Sequence, residues 1–248
     1  MSNSQPSQTD LKLQALRQAV TLEIQRRAEL KLAQNKLLRF YPDSGPLRRE
    51  LYPRHLEFFR AGAVHRERCF LAANRVGKTE GVGAFETTLH LTGRYPAWWE
   101  GRRFDRAISA WAAGDTSKTV HKEILQPKLL GQPGAYGTGM IPKDSIIDTV
   151  SKPGVPESVE TVYIRHISGG KSVLTLKSYE QGRESFQGTE KDLIWLDEEC
   201  PQSIYTESLL RTMETGFFKG GILMLTFTPL QGMSEIVRDF LEHAEKAA

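Results

Sequence analysis

The sequence predicts an α/β fold in which helices cover both faces of a mostly parallel sheet, and three observations predict it. Leu193–Leu196 and Ile222–Phe227 are short, continuous apolar runs, the kind buried on both faces of a parallel sheet. Stretches with helical spacing separate the strand-like runs, the alternation that builds such a sheet. The third is local: Ala72-Ala73-Asn74-Arg75-Val76-Gly77-Lys78-Thr79 lies between the apolar run Cys69–Ala73 and a helical segment ending near Leu91. It reads as a strand, a tight turn and a helix start.

Composition sets the outer bounds. A chain of 248 residues, 39% hydrophobic and 25% charged, has the balance of an ordinary soluble protein with one large core or two modest domains. No apolar run approaches the length of a bilayer crossing, and the polar start Met1–Gln5 lacks the build of a secretory signal, so an intracellular protein is expected. Cys69 and Cys200 show no metal-ligand spacing and are expected to be buried, reduced thiols. Residues 1–70 hold 13 Lys+Arg against 7 Asp+Glu, within a chain whose net charge is +3. That basic end fits either a solvated helix face or a footprint for nucleic acid or an acidic subunit.

In chain order, residues 1 to about 9 are polar and expected to be disordered. From Asp10, Leu13, Leu16, Val20, Ile24, Ala28 and Leu32 recur at spacings of three and four, which predicts an amphipathic helix running to about Leu38. Asp43–Pro46 is a turn cluster. Leu51–Gly62 reads as a short helix with Pro53 in its first turn and Gly62 past its end. Tyr95–Asp105 reads as a loop anchored by Trp98 and Trp99, Arg106–Ala113 as a buried strand, and Thr119–Leu130 as a helix. Gly131–Glu157, dense in Gly and Pro, predicts a long irregular loop. Thr161–Ile167 and Ser172–Ser178 predict strands joined in a hairpin at Gly169-Gly170, and Met233–Ala244 a final helix.

Three segments carry chemistry. Inward-facing amides of the turn and the positive end of the following helix make a site for a polyphosphate. Lys78 is then placed to reach the β- and γ-phosphates, and the Thr79 hydroxyl to sit on Mg²⁺. The common pattern has Gly five residues before Gly77, whereas Ala72 stands here. Asp197-Glu198-Glu199 follows a buried strand directly, where ligands gather in open α/β sheets. Asp197 fits a metal-holding acid and Glu198 the base that activates water; three acids offsetting a helix dipole are the plainer alternative. Thr226-Phe227-Thr228-Pro229 ends another apolar strand, where hydroxyls can report a γ-phosphate, or where a strand simply exits.

Five motifs, L-Y-P-R-H-L-E-F-F, A-A-N-R-V-G-K-T, S-Y-E-Q-G-R-E-S-F-Q-G, L-I-W-L-D-E-E and L-T-F-T-P-L-Q-G-M-S, occur in the order found in large terminase subunits. The chain resembles those motors, which package DNA into tailed-phage heads, over roughly Leu51 to Ser234. The resemblance implies a P-loop NTPase sandwich of the type with a catalytic Glu beside the Walker B Asp. It implies ATP and Mg²⁺ as cofactors, with nucleotide contacts from Tyr52, Pro53, His55, Ala73, Asn74, Arg75, Val76, Gly77, Lys78 and Thr79. Metal contacts fall to Thr79 and Asp197. Catalysis falls to Glu198, Lys78 and Arg75, the last sensing the γ-phosphate, and coupling to Thr226, Phe227, Thr228 and Pro229.

The family's adenine-contacting segment usually has Gln after the Pro; Pro53-Arg54 is followed here by His55, which can stack on or hydrogen-bond adenine. Many relatives have a basic residue just ahead of the Gly preceding the acidic strand. Here it is Gln187, which leaves Arg183 as the candidate arginine finger for a neighbouring subunit.

The implied organisation is a tail and amphipathic helix over 1–45, an ATPase core over 46–232, and a helix over 233–248. That helix leads toward a nuclease domain that the sequence does not include, so little DNA cutting is expected. Implied partners are double-stranded DNA, the portal protein, the small terminase subunit and further copies in a pentameric ring. The implied location is the host cytoplasm and, transiently, the procapsid, with no membrane. Two competitors are a helicase core and a nucleotide-dependent interaction module with negligible hydrolysis.

Overall fold

The computed structural model describes residues 8–215, 219–230 and 232–247. In chain order its strands are β1 (Glu67–Leu71), β2 (Ser109–Gly114), β3 (Ile146–Ser151), β4 (Val159–Arg165), β5 (Lys171–Ser178), β6 (Leu193–Asp197) and β7 (Ile222–Phe227). Among the described residues they form one sheet in the order β1-β7-β6-β2-β5-β4-β3. The five strands from β1 to β5 in that order run parallel, and β4 and β3 extend the sheet antiparallel. The helices are α1 (Gln8–Gln34), α2 (Lys36–Arg39), α3 (Pro53–Ala61), α4 (Phe85–Thr92), α5 (Leu125–Leu129), α6 (Gln202–Arg211) and α7 (Glu235–Ala247).

Alternation along the central strands divides the core in two. On β6, Leu193 and Trp195 enter the core covered by α3, α4 and α5, while Ile194 and Leu196 enter the one covered by α6 and α7. On β7, Ile222 and Met224 part from Leu223 and Leu225 in the same way. A strand with both faces covered must be apolar at every position, which is why these two runs are continuous. The result is the three-layer α/β arrangement that the sequence predicts. No helix among the described residues is long and apolar enough to cross a membrane.

Several local expectations change. The first helix stops at Gln34, because Asn35 takes extended backbone (φ −111, ψ 95), and α2 begins anew after it. The stripe of α1 faces solvent where it is described: Leu16 and Ile24 are each 62% exposed. The start of the chain before Gln8 and the side chains of Ala28 and Leu32 lie outside the described residues. Gly131–Glu157 is not all loop, since it contains β3. This is an edge strand with Ile147 and Val150 exposed, so its apolar residues do not alternate, and pairing with β4 decides its conformation. The helix expected over Thr119–Leu130 breaks at Ile124 into a π turn, Thr119–Glu123, and α5. Helix α6 has no counterpart among the expected elements. Cys69 and Cys200 are free thiols.

Candidate functional site

The parallel strands bring the three chemical segments to one edge of the sheet. β1 ends at Leu71, and the Ala72 N–H still bonds the Phe227 carbonyl at 3.3 Å. The chain then turns through left-handed backbone at Arg75 (φ 66) and Gly77 (φ 87). Glycine takes that conformation freely, whereas Arg75 takes it under strain, a feature that collects at functional turns. A π-helical segment, Lys78–Ala84, leads into α4, and Gly81 and Val82 both donate to the Gly77 carbonyl, at 2.7 and 3.1 Å. Wide turns of this kind occur mostly at functional sites. Gly83 lets the segment lie on the sheet, since a Cβ there would come within 2.1 Å of the Trp195 ring.

Register places the acids opposite this turn. Asp197 pairs with Thr226 across β6 and β7 and is 2% exposed. Thr79 donates to its carboxylate (3.0 and 3.2 Å) and Thr226 donates at 2.7 Å. The Trp195 indole N–H donates to the Thr226 oxygen at 2.8 Å, so the single Thr226 proton is committed to Asp197. Burial pushes the Asp197 carboxyl up to about 7, while the hydroxyls and Lys78 pull it down. A buried carboxylate facing a hydroxyl oxygen is a hard-oxygen pair suited to Mg²⁺, an ion bound by one or two carboxylates together with substrate phosphates.

Glu198 stands next in left-handed backbone (φ 65), its N–H on the Thr226 carbonyl at 3.0 Å. The buried Tyr179 hydroxyl lies 2.9 Å from the Asp197 carbonyl and 3.2 Å from that of Glu198, bracing the strained turn. Lys78, buried at the foot of the loop, points its ammonium at Glu198 (3.7 Å), Asn74 (3.3 Å) and Thr228 (2.9 Å).

Of the coupling segment, Thr226 is fully buried beneath Asp197 and Phe227 lies in the core, so neither reaches the open side. Thr228 does. Its hydroxyl lies 2.8 Å from the Ala72 carbonyl and 3.0 Å from Asn74, which ties the end of β7 to the phosphate loop.

A cavity of about 270 Å³ opens beside the loop, lined among others by Phe40, Leu47, Tyr52, His55 and Gly77. Glu80 on its wall pairs with Lys36 of α2 and with Lys128 of α5. Pro53 is the first residue of α3 and lines the groove on the other side of Tyr52. His55, expected to contact adenine, spends both ring nitrogens on the protein: Nδ1 lies 2.7 Å from the Tyr41 hydroxyl and Nε2 3.1 Å from the Val76 carbonyl. Ala73, Asn74, Arg75 and Val76 are exposed at the mouth.

Arg183 stands apart from this constellation. Its guanidinium pairs with buried Glu207 of α6 at 3.1 Å, and Glu207 also holds Arg211.

Sequence reasoning missed Tyr41, Trp195 and Tyr179, which orient loop and acids without touching the open side. One usable signal was Gly83, since glycine inside a helical pattern marks a close approach. It also missed a buried chain behind the loop. Arg68 of β1 pairs with Glu86 of α4 at 2.6 Å, and His90 lies 3.1 Å from Glu86 and 2.8 Å from the Tyr95 hydroxyl. Arg68 and Glu86 thus join the strand that enters the loop to the helix that leaves it.

Residues 69–248 match the family model described as terminase large subunit, T4likevirus-type, N-terminal. The large terminase subunit of Salmonella phage P22 is 38% identical over 216 residues, covering 79% of this chain and 42% of that protein. The chain therefore spans about two fifths of the length of that relative. Among solved structures, the large terminase ATPase domain of Thermus phage P74-26 is similar with a TM-score of 0.47 and 13% identity, over 77% of this chain and 73% of that one. The large terminase of another thermophilic bacteriophage, in complex with ADP, is similar with a TM-score of 0.45 and 13% identity, over 76% of this chain and 48% of that one.

Proposed function

The chain belongs to the terminase large subunit family, and we propose that it binds and hydrolyses ATP to drive double-stranded DNA into a procapsid. The observation that carries this reading is one junction. Thr79 of the loop donates to Asp197, and Lys78 lies 3.7 Å from Glu198, so loop and acids meet at one edge of a parallel sheet. In this reading the triphosphate lies on the amides of Ala73–Thr79, with its base toward Tyr52, Pro53 and the cavity beside them. Mg²⁺ fits the oxygens of Thr79 and Asp197 and, when bound, neutralises charge on the phosphates.

The chain's own residues do the rest. Lys78 leaves the carboxylate of Glu198 for the β- and γ-oxygens as charge builds on them. Glu198, partly exposed and fixed by the Tyr179 brace, is left to take a proton from the attacking water. Arg75 at the mouth senses the γ-phosphate. Loss of that phosphate changes what Lys78 touches, and through Thr228 the change reaches the end of β7. The partners on this reading are DNA, the portal protein, the small terminase subunit and further copies in a pentameric ring, in the host cytoplasm. Arg183 serves as the finger for a neighbour only if its pair with Glu207 opens.

Steady-state phosphate release, with and without DNA and across protein concentration, tests this. Lys78→Ala is expected to abolish turnover. Glu198→Gln is expected to keep nucleotide binding and lose turnover by about 10²- to 10⁴-fold, the usual worth of a general base. Wild-type turnover in Glu198→Gln removes the assignment of the base. Nucleotide binding without turnover under every condition points instead to an interaction module.

A further inference from the structure

Position 55 invites a base-reading role, yet the hydrogen-bond arithmetic gives it another. The Val76 carbonyl can only accept, so His55 Nε2 must carry a proton to make its 3.1 Å contact. His55 Nδ1 lies 2.7 Å from the Tyr41 oxygen, and the Tyr41 hydroxyl in turn lies 2.8 Å from the Gly81 carbonyl. The series therefore runs from one carbonyl inside the phosphate turn, through an imidazole and a phenol, to a carbonyl of the helix just after it. Val76 and Gly81 flank Gly77, Lys78 and Thr79.

Packing gives the same picture. His55 is 5% exposed and Tyr41 is 2% exposed, and Tyr41 sits in left-handed backbone (φ 55) that its surroundings must hold. A Cβ on Gly77 would stand 3.3 Å from the His55 ring, and one on Gly81 would stand 2.8 Å from the Tyr41 oxygen. Both glycines are small where this pair presses on the loop. Tyr52 at 5.2 Å and Phe70 at 5.2 Å hold the imidazole from its sides. Burial lowers the pKa of His55 and so favours the neutral ring.

We propose that His55 and Tyr41 form a clasp that holds the phosphate turn in its triphosphate-receiving shape, and that His55 is a positioning residue and not a reader of the base. The proposal rests on the reading that this loop takes a triphosphate. With both ring nitrogens bound to the protein, His55 has none to offer adenine. Its loss therefore weakens everything that binds through phosphates, whatever the base.

The test measures binding of Mg-ATP, Mg-GTP and Mg-tripolyphosphate, which has no base, to the wild-type chain and to variants whose melting temperature is recorded. His55→Leu and Tyr41→Phe are each expected to weaken all three ligands about fivefold, the worth of one buried hydrogen bond. The ATP:GTP ratio stays fixed, and KM rises more than kcat falls. The double variant binds no worse than the weaker single one, because either change opens the same clasp. His55→Gln, which keeps an N–H donor, falls closer to wild type than His55→Leu. Tyr41→Phe removes one hydroxyl only, so it tests the clasp even where His55→Leu does not fold.

A changed ATP:GTP ratio with unchanged tripolyphosphate binding makes His55 a base reader and overturns the proposal. Losses that multiply in the double variant overturn it as well. If the wild-type chain binds ATP and tripolyphosphate but neither single variant weakens them, the clasp alone fails. If the wild-type chain binds none of the three, the triphosphate reading itself falls, and the clasp with it.

Discussion

Helix α1 and the helical run Lys78–Thr92 both show apolar residues at helical spacing, yet they meet opposite fates. In α1 the described stripe faces water, with Leu13 at 47% and Val20 at 51% exposure. In the second run every residue from Gly81 to Thr92 is buried, including Glu86 and His90. Periodicity dictates that a helix forms and which side is apolar; it does not name the surface that covers that side. The second run is covered because it is tied at both ends, by the phosphate turn and by Arg68 of β1, and because Gly83 admits Trp195.

Variants can break or sharpen this contrast, beginning where the effect is largest. Glu86→Leu leaves the Arg68 guanidinium buried without its partner. Chemical denaturation is expected to show a loss of about 3–5 kcal/mol, and Arg68→Met with Glu86→Leu together should recover much of it. Gly83→Ala forces a methyl into the Trp195 ring, and about 2–3 kcal/mol should be lost by the same measurement. An unchanged stability in either variant would mean that the helix is not fixed by these contacts.

A pH series is expected to give a smaller effect. Burial, with Lys152 beside the ring, lowers the pKa of His121 to about 4, against about 6.5 when unfolded. Lys152 Nζ stands 3.1 Å from His121 Nε2, so a second ring proton would face an ammonium. Between those two pH values the unfolded chain binds more protons, and stability falls as pH drops from about 6.5 to about 4. The His121→Gln variant should show a shallower fall in melting temperature over that window. The least effect is expected on the exposed helix: Leu16→Ser with Ile24→Ser should change the stability of the core by no more than about 0.5 kcal/mol. A larger loss would show that α1 packs on the core after all.

The central strands were legible because being covered on both faces leaves a continuous apolar run, as in Leu193–Leu196. β3 was not, because an edge strand with an exposed face has no such constraint, and its pairing with β4 comes from residues further along the chain. In the candidate site, Lys78, Thr79, Asp197 and Glu198 could be read from spacing, since each follows a strand directly. Tyr41, Tyr179 and Trp195 could not be read. Aromatic residues with one polar atom are common in cores, and only the position of that atom separates a brace from a filler.

By itself, the sequence determined the parallel sheet, the phosphate turn and the acids at the strand ends. These follow from local patterns: a run of apolar residues, a glycine that accepts left-handed backbone, and charged residues just past a strand. The tertiary structure decided what those groups touch. It joined Thr79 to Asp197 across 118 positions and Lys78 to Thr228 across 150, and it turned His55 toward Val76 and Tyr41. Contacts at such separations depend on sheet order and register, and a one-residue slip in register would have sent Thr226 to the opposite face from Asp197.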